Sequence, residues 1–101
     1  MKIGFDAKRA FHNKTGLGNY SRSIISSVSK VRKKDQIYLI TPSSKTDNFK
    51  ISNHNTQIVT PPFLTNKKYW RFKSVNKQLE KIGIDIYHGL SNELPYNINC
   101  K

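Results

Sequence analysis

Apolar residues fall into two kinds of pattern along this chain. Short continuous runs bounded by polar or turn-forming residues predict four strands, at residues 2–6, 37–41, 57–60 and 84–88. Two sets of apolar residues recur at a spacing near 3.6 and predict helices over residues 19–32 and 67–82. The strand runs lack clean alternation, which is typical of strands covered on both faces.

Each predicted helix has a definable apolar face. The first face consists of Tyr20, Ile24, Ile25, Val28 and Val31. The second consists of Phe72, Val75, Leu79 and Ile82, and Gly83 follows as a C-terminal cap. Residues 6–18 and 42–55 are polar and are predicted as loops.

The order strand, helix, strand, strand, helix, strand predicts an α/β fold with a parallel sheet and helices on both faces. We expect part of a Rossmann-like doubly wound sheet with strand order 3-2-1-4. In that order the first and fourth strands are neighbours. The loops that follow them would then face each other at the carboxyl edge of the sheet.

Composition adds a strong charge. The 101 residues form one domain at most and include 18 Lys+Arg against 6 Asp+Glu, a net charge of +12. Such a charge attracts phosphate or an anionic membrane, although scattered charges on a solvated surface explain it equally well. The second helix has a basic face, made of Lys67, Lys68, Arg71, Lys73, Lys77 and Lys81.

Several classes of protein are disfavoured. No apolar run approaches the ~20 residues of a membrane span, and the first residues do not form a secretion signal. We therefore expect a cytoplasmic protein, peripheral at the inner face of the membrane if the basic helix binds lipid. The single Cys100 excludes an internal disulfide. Neither a metal site nor a pair of catalytic carboxylates is expected.

A glycine-containing segment precedes the first helix. Gly16, Gly18 and Asn19 lie where backbone amides and a helix start could meet an anion. The spacing is not that of the full dinucleotide fingerprint, and no lysine follows at the phosphate-loop position. A plain turn and helix cap is the alternative interpretation.

The loop after the fourth strand is the second candidate. His88, Ser91, Asn92 and Glu93 offer donors and acceptors suited to hydroxyl groups. Alternatively, His88 is a core residue and Glu93 a solvated charge. Asp6, at the end of the first strand, could orient Arg9, bind a ligand or hold the loop.

Three blocks of sequence carry a family resemblance. Residues 2–9 (KIGFDAKR), 15–22 (TGLGNYSR) and 85–95 (DIYHGLSNELP) resemble the start of group 1 (family 4) glycosyltransferases, and bacterial mannosyltransferase-like members in particular. The blocks occur in the family's order and spacing over most of the chain.

The resemblance implies a retaining, metal-independent enzyme without a cofactor and with the GT-B fold of two Rossmann-like domains. The parent would transfer a hexose such as mannose from a nucleotide sugar to a glycan or lipid-linked acceptor in polysaccharide biosynthesis. Gly16 and Gly18 match the loop that meets donor phosphate or acceptor. His88, Ser91, Asn92 and Glu93 match the acceptor-side loop.

Residues 1–101 would form a single partial domain, the N-terminal acceptor-side portion of that enzyme. Without the donor domain we expect no catalysis and, because the fourth strand would become a sheet edge, self-association into a homodimer. The alternatives are a basic module that binds nucleic acid or another polyanion, using exposed aromatics such as Tyr69 or Trp70, and a nonfunctional gene remnant. No nucleic-acid-binding motif supports the first alternative.

Overall fold

The computed structural model describes residues 1–43, 49–50, 54–61, 70, 75–90, 94–95, 98 and 100–101. The described residues contain four strands and three helices. In chain order these are β1 (Lys2–Asp6), α1 (Lys8–His12), α2 (Gly16–Val31), β2 (Gln36–Ile40), β3 (Thr56–Val59), α3 (Val75–Ile82) and β4 (Ile86–His88).

The four strands form one sheet in which every neighbouring pair is parallel. This confirms the predicted α/β class and parallel sheet. Hydrogen bonding places the strands in the order β3-β2-β1-β4. In register, Ile3 of β1 lies between Ile37 of β2 and Ile86 of β4. The first strand of the chain is therefore central, and its two neighbours come from distant parts of the sequence.

Both faces of the sheet are covered, and β2 shows why its sequence is almost wholly apolar. Ile37 and Leu39 join the core cluster on one face, together with Ile25 of α2 and Phe11 of α1. Tyr38 and Ile40 join the cluster on the opposite face, which includes Val75 and Leu79 of α3. The two predicted helices therefore cover opposite faces, as expected when alternate residues of a strand point to opposite sides.

The prediction of one continuous loop over residues 6–18 is wrong. Residues Lys8–His12 form α1, whose Ala10 and Phe11 are buried in the core. Helix α2 begins at Gly16 rather than at residue 19, so Gly16 and Gly18 lie in its first turn. Of the polar residues that predicted a loop, Lys8 and His12 are exposed positions of α1, whereas Asn13, Lys14 and Thr15 lie between the two helices.

The predicted apolar face of α2 is also wrong in part. The buried residues of α2 are Gly18, Ser21, Ile25 and Ser29. Tyr20 is 54% exposed and Val31 80% exposed. Three of the four buried residues are therefore small, and larger apolar residues of the predicted face lie on the flank of the helix.

Helix α3 ends as predicted. Gly83 has a φ of 81°, and its N–H donates to Glu80 O while the N–H of Ile84 donates to Leu79 O. These are the two hydrogen bonds of a Schellman cap, which favours glycine at the left-handed position.

Only part of the predicted basic face is described. Lys77 and Lys81 are exposed on α3, whereas Lys67, Lys68, Arg71 and Lys73 lie outside the described residues. Trp70 is 1% exposed, and its indole N–H donates to Gln78. The expectation of an exposed Trp70 is therefore wrong, because its ring fills the core beneath α3.

The amino end of the sheet is closed by hydrogen bonds between elements that are distant in sequence. The Asn55 side-chain amide lies 3.2–3.3 Å from the carbonyl oxygens of Ser29, Arg32 and Asp35. Lys2 Nζ donates to Ile82 O at 2.6 Å, which ties β1 to the end of α3. Helix ends otherwise leave carbonyl groups unsatisfied, so these contacts fasten both helices to the sheet.

The outer edge of β4 is bonded by the last residue of the chain. Tyr87 N–H donates to Lys101 O, and Lys101 N–H donates to Asp85 O. This pair of bonds is that of a parallel bridge opposite Ile86. Nearby, Ile98 and Cys100 pack against the cluster beneath α3, and burial raises the pKa of the Cys100 thiol.

Candidate functional site

The carboxyl ends of β1 and β4 place two of the predicted site residues, Asp6 and His88, at one edge of the sheet. Asp6 ends β1 beside Ile40 of β2, and Phe5 lies beside His88 of β4. From β1 the chain continues to β2 on one side of the sheet, whereas β4 pairs with β1 on the other side. The strand order therefore reverses between β1 and β4, and the loops that follow these two strands leave a crevice between them. Ligands of open parallel sheets bind at such a point.

Asp6 is 1% exposed and acts in the structure as a loop-holding residue. Its Oδ1 accepts the backbone N–H of Lys8 at 3.3 Å, at the start of α1. A carboxylate at this position satisfies one of the free N–H groups of a helix N-terminus. Arg9 follows on α1 and is half-buried. Of the roles considered for Asp6, the described contacts support the structural one.

Asn13 organises the turn between α1 and α2. Its Oδ1 accepts the N–H of Thr15 at 2.9 Å, the hydroxyl of Thr15 at 2.7 Å and the N–H of Gly18 at 3.0 Å. Thr15 is the N-cap residue, but its side chain makes no cap hydrogen bond. The capping function is therefore performed by Asn13, two residues earlier.

Arg22, one helical turn further along α2, also holds the connection between α1 and α2. One guanidinium nitrogen donates to Ala10 O at 2.9 Å and to Asn13 O at 2.7 Å. The other donates to Asn19 Oδ1 at 2.6 Å. These bonds use the planar fork of arginine to satisfy carbonyl groups at the end of α1. Asn19, predicted as part of a ligand loop, thus supports Arg22.

The two glycines of α2 have different surroundings. A Cβ on Gly18 would lie 1.9 Å from Asn13 O, so only glycine fits this contact between the turn and the helix. Gly16 is exposed, and a Cβ there would have no heavy atom within 4 Å. The N–H of Gly18 is bonded to Asn13, whereas those of Gly16 and Leu17 have no acceptor among the described residues. Gly16, and not Gly18, therefore adjoins open space.

His88 is exposed at the end of β4. Its ring lies 5.6 Å, centroid to centroid, from the ring of Phe5. Leu90 is 5% exposed and belongs to the same core cluster as Ala10 and Phe11 of α1, so the segment after β4 is anchored near the first helix. Ser91, Asn92 and Glu93, the other predicted residues of this loop, lie outside the described residues.

His12, which the sequence predicts as a loop histidine, instead ends helix α1 at this edge. It is exposed at the end of α1, and its Nε2 lies 2.7 Å from Ser43 O, after β2. Thr41 is buried beside it, and its hydroxyl donates to the same carbonyl at 2.8 Å. The sequence signal for α1, the pair Ala10 and Phe11 after an aspartate, was too short to predict a helix.

The electrostatic character of this edge is positive. Lys8 and Arg9 lie on α1, and the free N–H groups of the first turn of α2 add the positive end of a helix dipole. Among the described residues at this edge the only carboxylate is Asp6, which is buried. No group of three His, Cys, Asp or Glu residues in the described part of the chain could hold a metal ion. The arrangement suits an anionic or hydroxyl-bearing ligand better than a cation.

Comparisons with protein families, with curated proteins and with solved structures find no match to this chain. The class that the coordinates define is therefore a small α/β domain with a four-stranded, wholly parallel sheet. In the described residues, no helix is both long enough and apolar enough to cross a membrane.

Proposed function

We propose that this chain is the N-terminal, acceptor-side portion of a retaining sugar transferase with the GT-B fold. The proposal rests on the resemblance of residues 2–9, 15–22 and 85–95 to group 1 (family 4) glycosyltransferases. It assigns the sheet to the first of two Rossmann-like domains. The parent enzyme moves a hexose from a nucleotide sugar to a glycan or lipid-linked acceptor.

One observation supports this proposal above the others. The three blocks that carry the resemblance lie far apart in sequence, and the strands of the first and third blocks, β1 and β4, are neighbours in the sheet. Asp6 of the first block and His88 of the third therefore lie at the carboxyl ends of adjacent strands, and Gly16 of the second block begins α2. A ligand crevice at the ends of neighbouring parallel strands draws on residues placed in this way.

The contacts at this edge suggest that one set of residues binds the ligand and another holds the turn in place. The free N–H groups of Gly16 and Leu17 suit a phosphate oxygen, because a helix N-terminus favours negative charge. His88 can donate to or accept from a sugar hydroxyl. Asn13, Arg22 and Asp6 hold the turn in place and do not face the ligand. Chemistry at the leaving diphosphate belongs to the donor domain, so residues 1–101 alone bind without catalysing.

The test is an NMR titration of the 15N-labelled protein with GDP-mannose and, separately, with inorganic pyrophosphate. We expect millimolar binding with the largest shift changes at the amides of Gly16, Leu17 and His88. Gly16→Val should weaken binding by about tenfold, since a branched side chain would occupy the space that the ligand needs.

Ser27→Val is the matched control, because it places the same side chain at an exposed position of α2 away from this edge. It should leave binding within about twofold of the unaltered protein. Shift changes spread over surface lysines, or equal effects of the two substitutions, would contradict the proposal. Both variants should keep the melting temperature, which separates lost binding from lost folding.

The net charge of +12 still supports the alternative function, a module that binds polyanions. Burial of Trp70 removes one of the two aromatic side chains on which that alternative relied. Binding to single-stranded DNA that falls steeply with salt, with no response to GDP-mannose, would favour it.

A further inference from the structure

The flank of α2 carries an exposed apolar stripe that the domain does not cover. The stripe consists of Leu17, Tyr20, Ile24, Val28 and Val31. Leu17 is 43% exposed, Tyr20 54% and Val31 80%. Ile24 and Val28 are half-buried, each with one side against the core. Over 14 residues a helix rises about 21 Å, so the stripe runs almost the full length of α2.

One apolar residue of the sheet is also exposed on the face that α2 covers. Ile86 is the register partner of Ile3, and Ile3 packs against the same core cluster as Ile24 and Val28. Ile86 is nevertheless 38% exposed, so α2 does not fully cover β4 on this face. Exposed apolar surface of this kind marks an interaction site.

The spacing of the stripe is symmetric. Successive members are separated by 3, 4, 4 and 3 residues, with Ile24 at the centre. An antiparallel copy of the same helix, related by a twofold axis through Ile24, would place Leu17 opposite Val31 of the second copy. Tyr20 would lie opposite Val28, and Ile24 opposite itself. A twofold interface requires this self-complementarity, because each surface must fit its own image.

Charge sets the conditions under which two copies can associate. The chain carries a net charge of +12, so two copies repel each other over most of their surfaces. Within α2 the charged residues are Arg22 and Lys30, and neither lies three or four residues from a member of the stripe. Exposed basic residues adjoin both ends of the stripe, Lys14 before it and Arg32, Lys33 and Lys34 after it, and an antiparallel pair brings these two ends together. The middle of the stripe is therefore free of charge from α2 itself, whereas its ends repel each other until salt screens them.

We propose that two copies of this chain associate through the α2 stripe, with antiparallel helices crossing at Ile24. The interface is apolar and small, so it forms a dimer of modest affinity. Because salt screens the repulsion between the two basic chains, association strengthens as ionic strength rises. This salt response is opposite to that of phosphate binding, which weakens with salt.

The first test is analytical ultracentrifugation of the full chain over a wide range of protein concentration. We expect a monomer–dimer equilibrium that shifts towards dimer between 0.05 M and 0.5 M salt. Tyr20→Lys should raise the dimer dissociation constant by about tenfold or more, since an ammonium group would enter the apolar contact. Ser23→Lys adds the same charge to an exposed position outside the stripe and should raise it by about threefold at most.

The second test addresses the symmetry. In a Cys100→Ser background, Ile24→Cys should form a disulfide-linked dimer on mild oxidation, because the two positions meet on the axis. Leu17→Cys and Val31→Cys should cross-link rapidly when mixed and slowly when each is alone. Circular dichroism melting of every variant controls for folding. A monomer at all concentrations, equal effects of Tyr20→Lys and Ser23→Lys, or cross-linking without this pairing would overturn the proposal.

Discussion

The two ends of the parallel sheet are built differently. At the amino end, Asn55 bonds three carbonyl groups, Asp35 bonds the chain's amino terminus and Lys2 bonds the end of α3. At the carboxyl end, the bonds of Asn13 and Arg22 hold one turn, while Gly16 and His88 adjoin solvent. The amino end is fastened by bonds between distant elements, beside a cavity lined by Lys33, Lys34, His54 and Gln57, whereas the carboxyl end leaves Gly16 and His88 exposed.

This difference separates stability from binding. Contacts at the amino end join elements that are distant in sequence. At the carboxyl end a fixed scaffold adjoins the amides of Gly16 and Leu17, which have no acceptor in the part of the chain that the structure describes, and that combination is what a binding site needs. The two glycines of α2 show this difference between residues that are close in sequence, because Gly18 is part of the fixed scaffold and Gly16 lies on the open surface.

Substitution of Gly18 should have the largest effect on stability. In Gly18→Ala the new methyl group would lie 1.9 Å from Asn13 O, so the backbone of the turn must move. We expect a loss of about 2–4 kcal/mol in the free energy of unfolding, measured by urea denaturation. A loss under about 0.5 kcal/mol would show that the turn is not part of the scaffold.

Arg22→Ala should have the next largest effect. It leaves the carbonyl groups of Ala10 and Asn13 without their charged donor, at an expected cost of about 1.5–3 kcal/mol. Arg22→Lys keeps the positive charge but lacks the planar guanidinium with its several N–H donors. It should therefore recover only part of the lost free energy of unfolding. Equal stability of the lysine variant and the unaltered protein would mean that charge alone suffices.

Acid should weaken the amino end before the α1–α2 turn. A hydrogen bond from Arg32, and a second from the amino terminus, hold the pKa of Asp35 below its ordinary value of 3.8. The stabilisation is therefore complete above the unfolded-state pKa and is lost as pH falls through the lower, folded value. The bonds that Asn13 and Arg22 make in the α1–α2 turn involve no carboxylate.

The measurement is thermal melting of the unaltered protein and of Asp35→Asn between pH 7 and pH 2. The variant should melt at a lower temperature at neutral pH, and the difference should shrink below about pH 4 as the carboxylate is protonated. A difference that stays constant over this range would contradict the assigned role of the ion pair.

Gly16→Ala should have the smallest effect. No heavy atom lies within 4 Å of the new methyl group, and alanine favours a helix over glycine by up to about 1 kcal/mol. We expect a change within about 0.5 kcal/mol of zero or a small gain in stability, measured beside Gly18→Ala by the same denaturation. A large loss would place Gly16 in the scaffold and remove the distinction between the two glycines.

The sheet could be predicted because its signals are local. The run at residues 2–6 coincides with β1, the other three runs differ from the observed strands by one or two residues at an end, and the run lengths exclude helices. The element order then implies parallel pairing without any knowledge of contacts. Gly83 was predictable for the same reason, since a helix end needs a residue at positive φ.

The site was less predictable because its contacts cross between elements. Nothing in the pair Gly16 and Gly18 distinguishes a glycine beside open space from one pressed against Asn13. Helix α1 is a five-residue helix that buries Ala10 and Phe11, and so short a stretch gives no periodic signal. Tyr20 was assigned to the core because periodicity reports an apolar face, not which neighbour covers it.

The central position of β1 has a consequence for how the chain folds as it is synthesised. Ile3 is made before its partner Ile37, and its other partner, Ile86, is made only after both. Closing the longer loop costs only about 0.8 kcal/mol more than closing the shorter one, so the two pairings differ in when they can form more than in energy. Until β4 is made, the middle of the future sheet remains an open edge. A nascent chain of this protein therefore carries β1 with only one of its two neighbours until β4 has been synthesised, and the free edge of β1 is where a chaperone or a wrong partner would bind first.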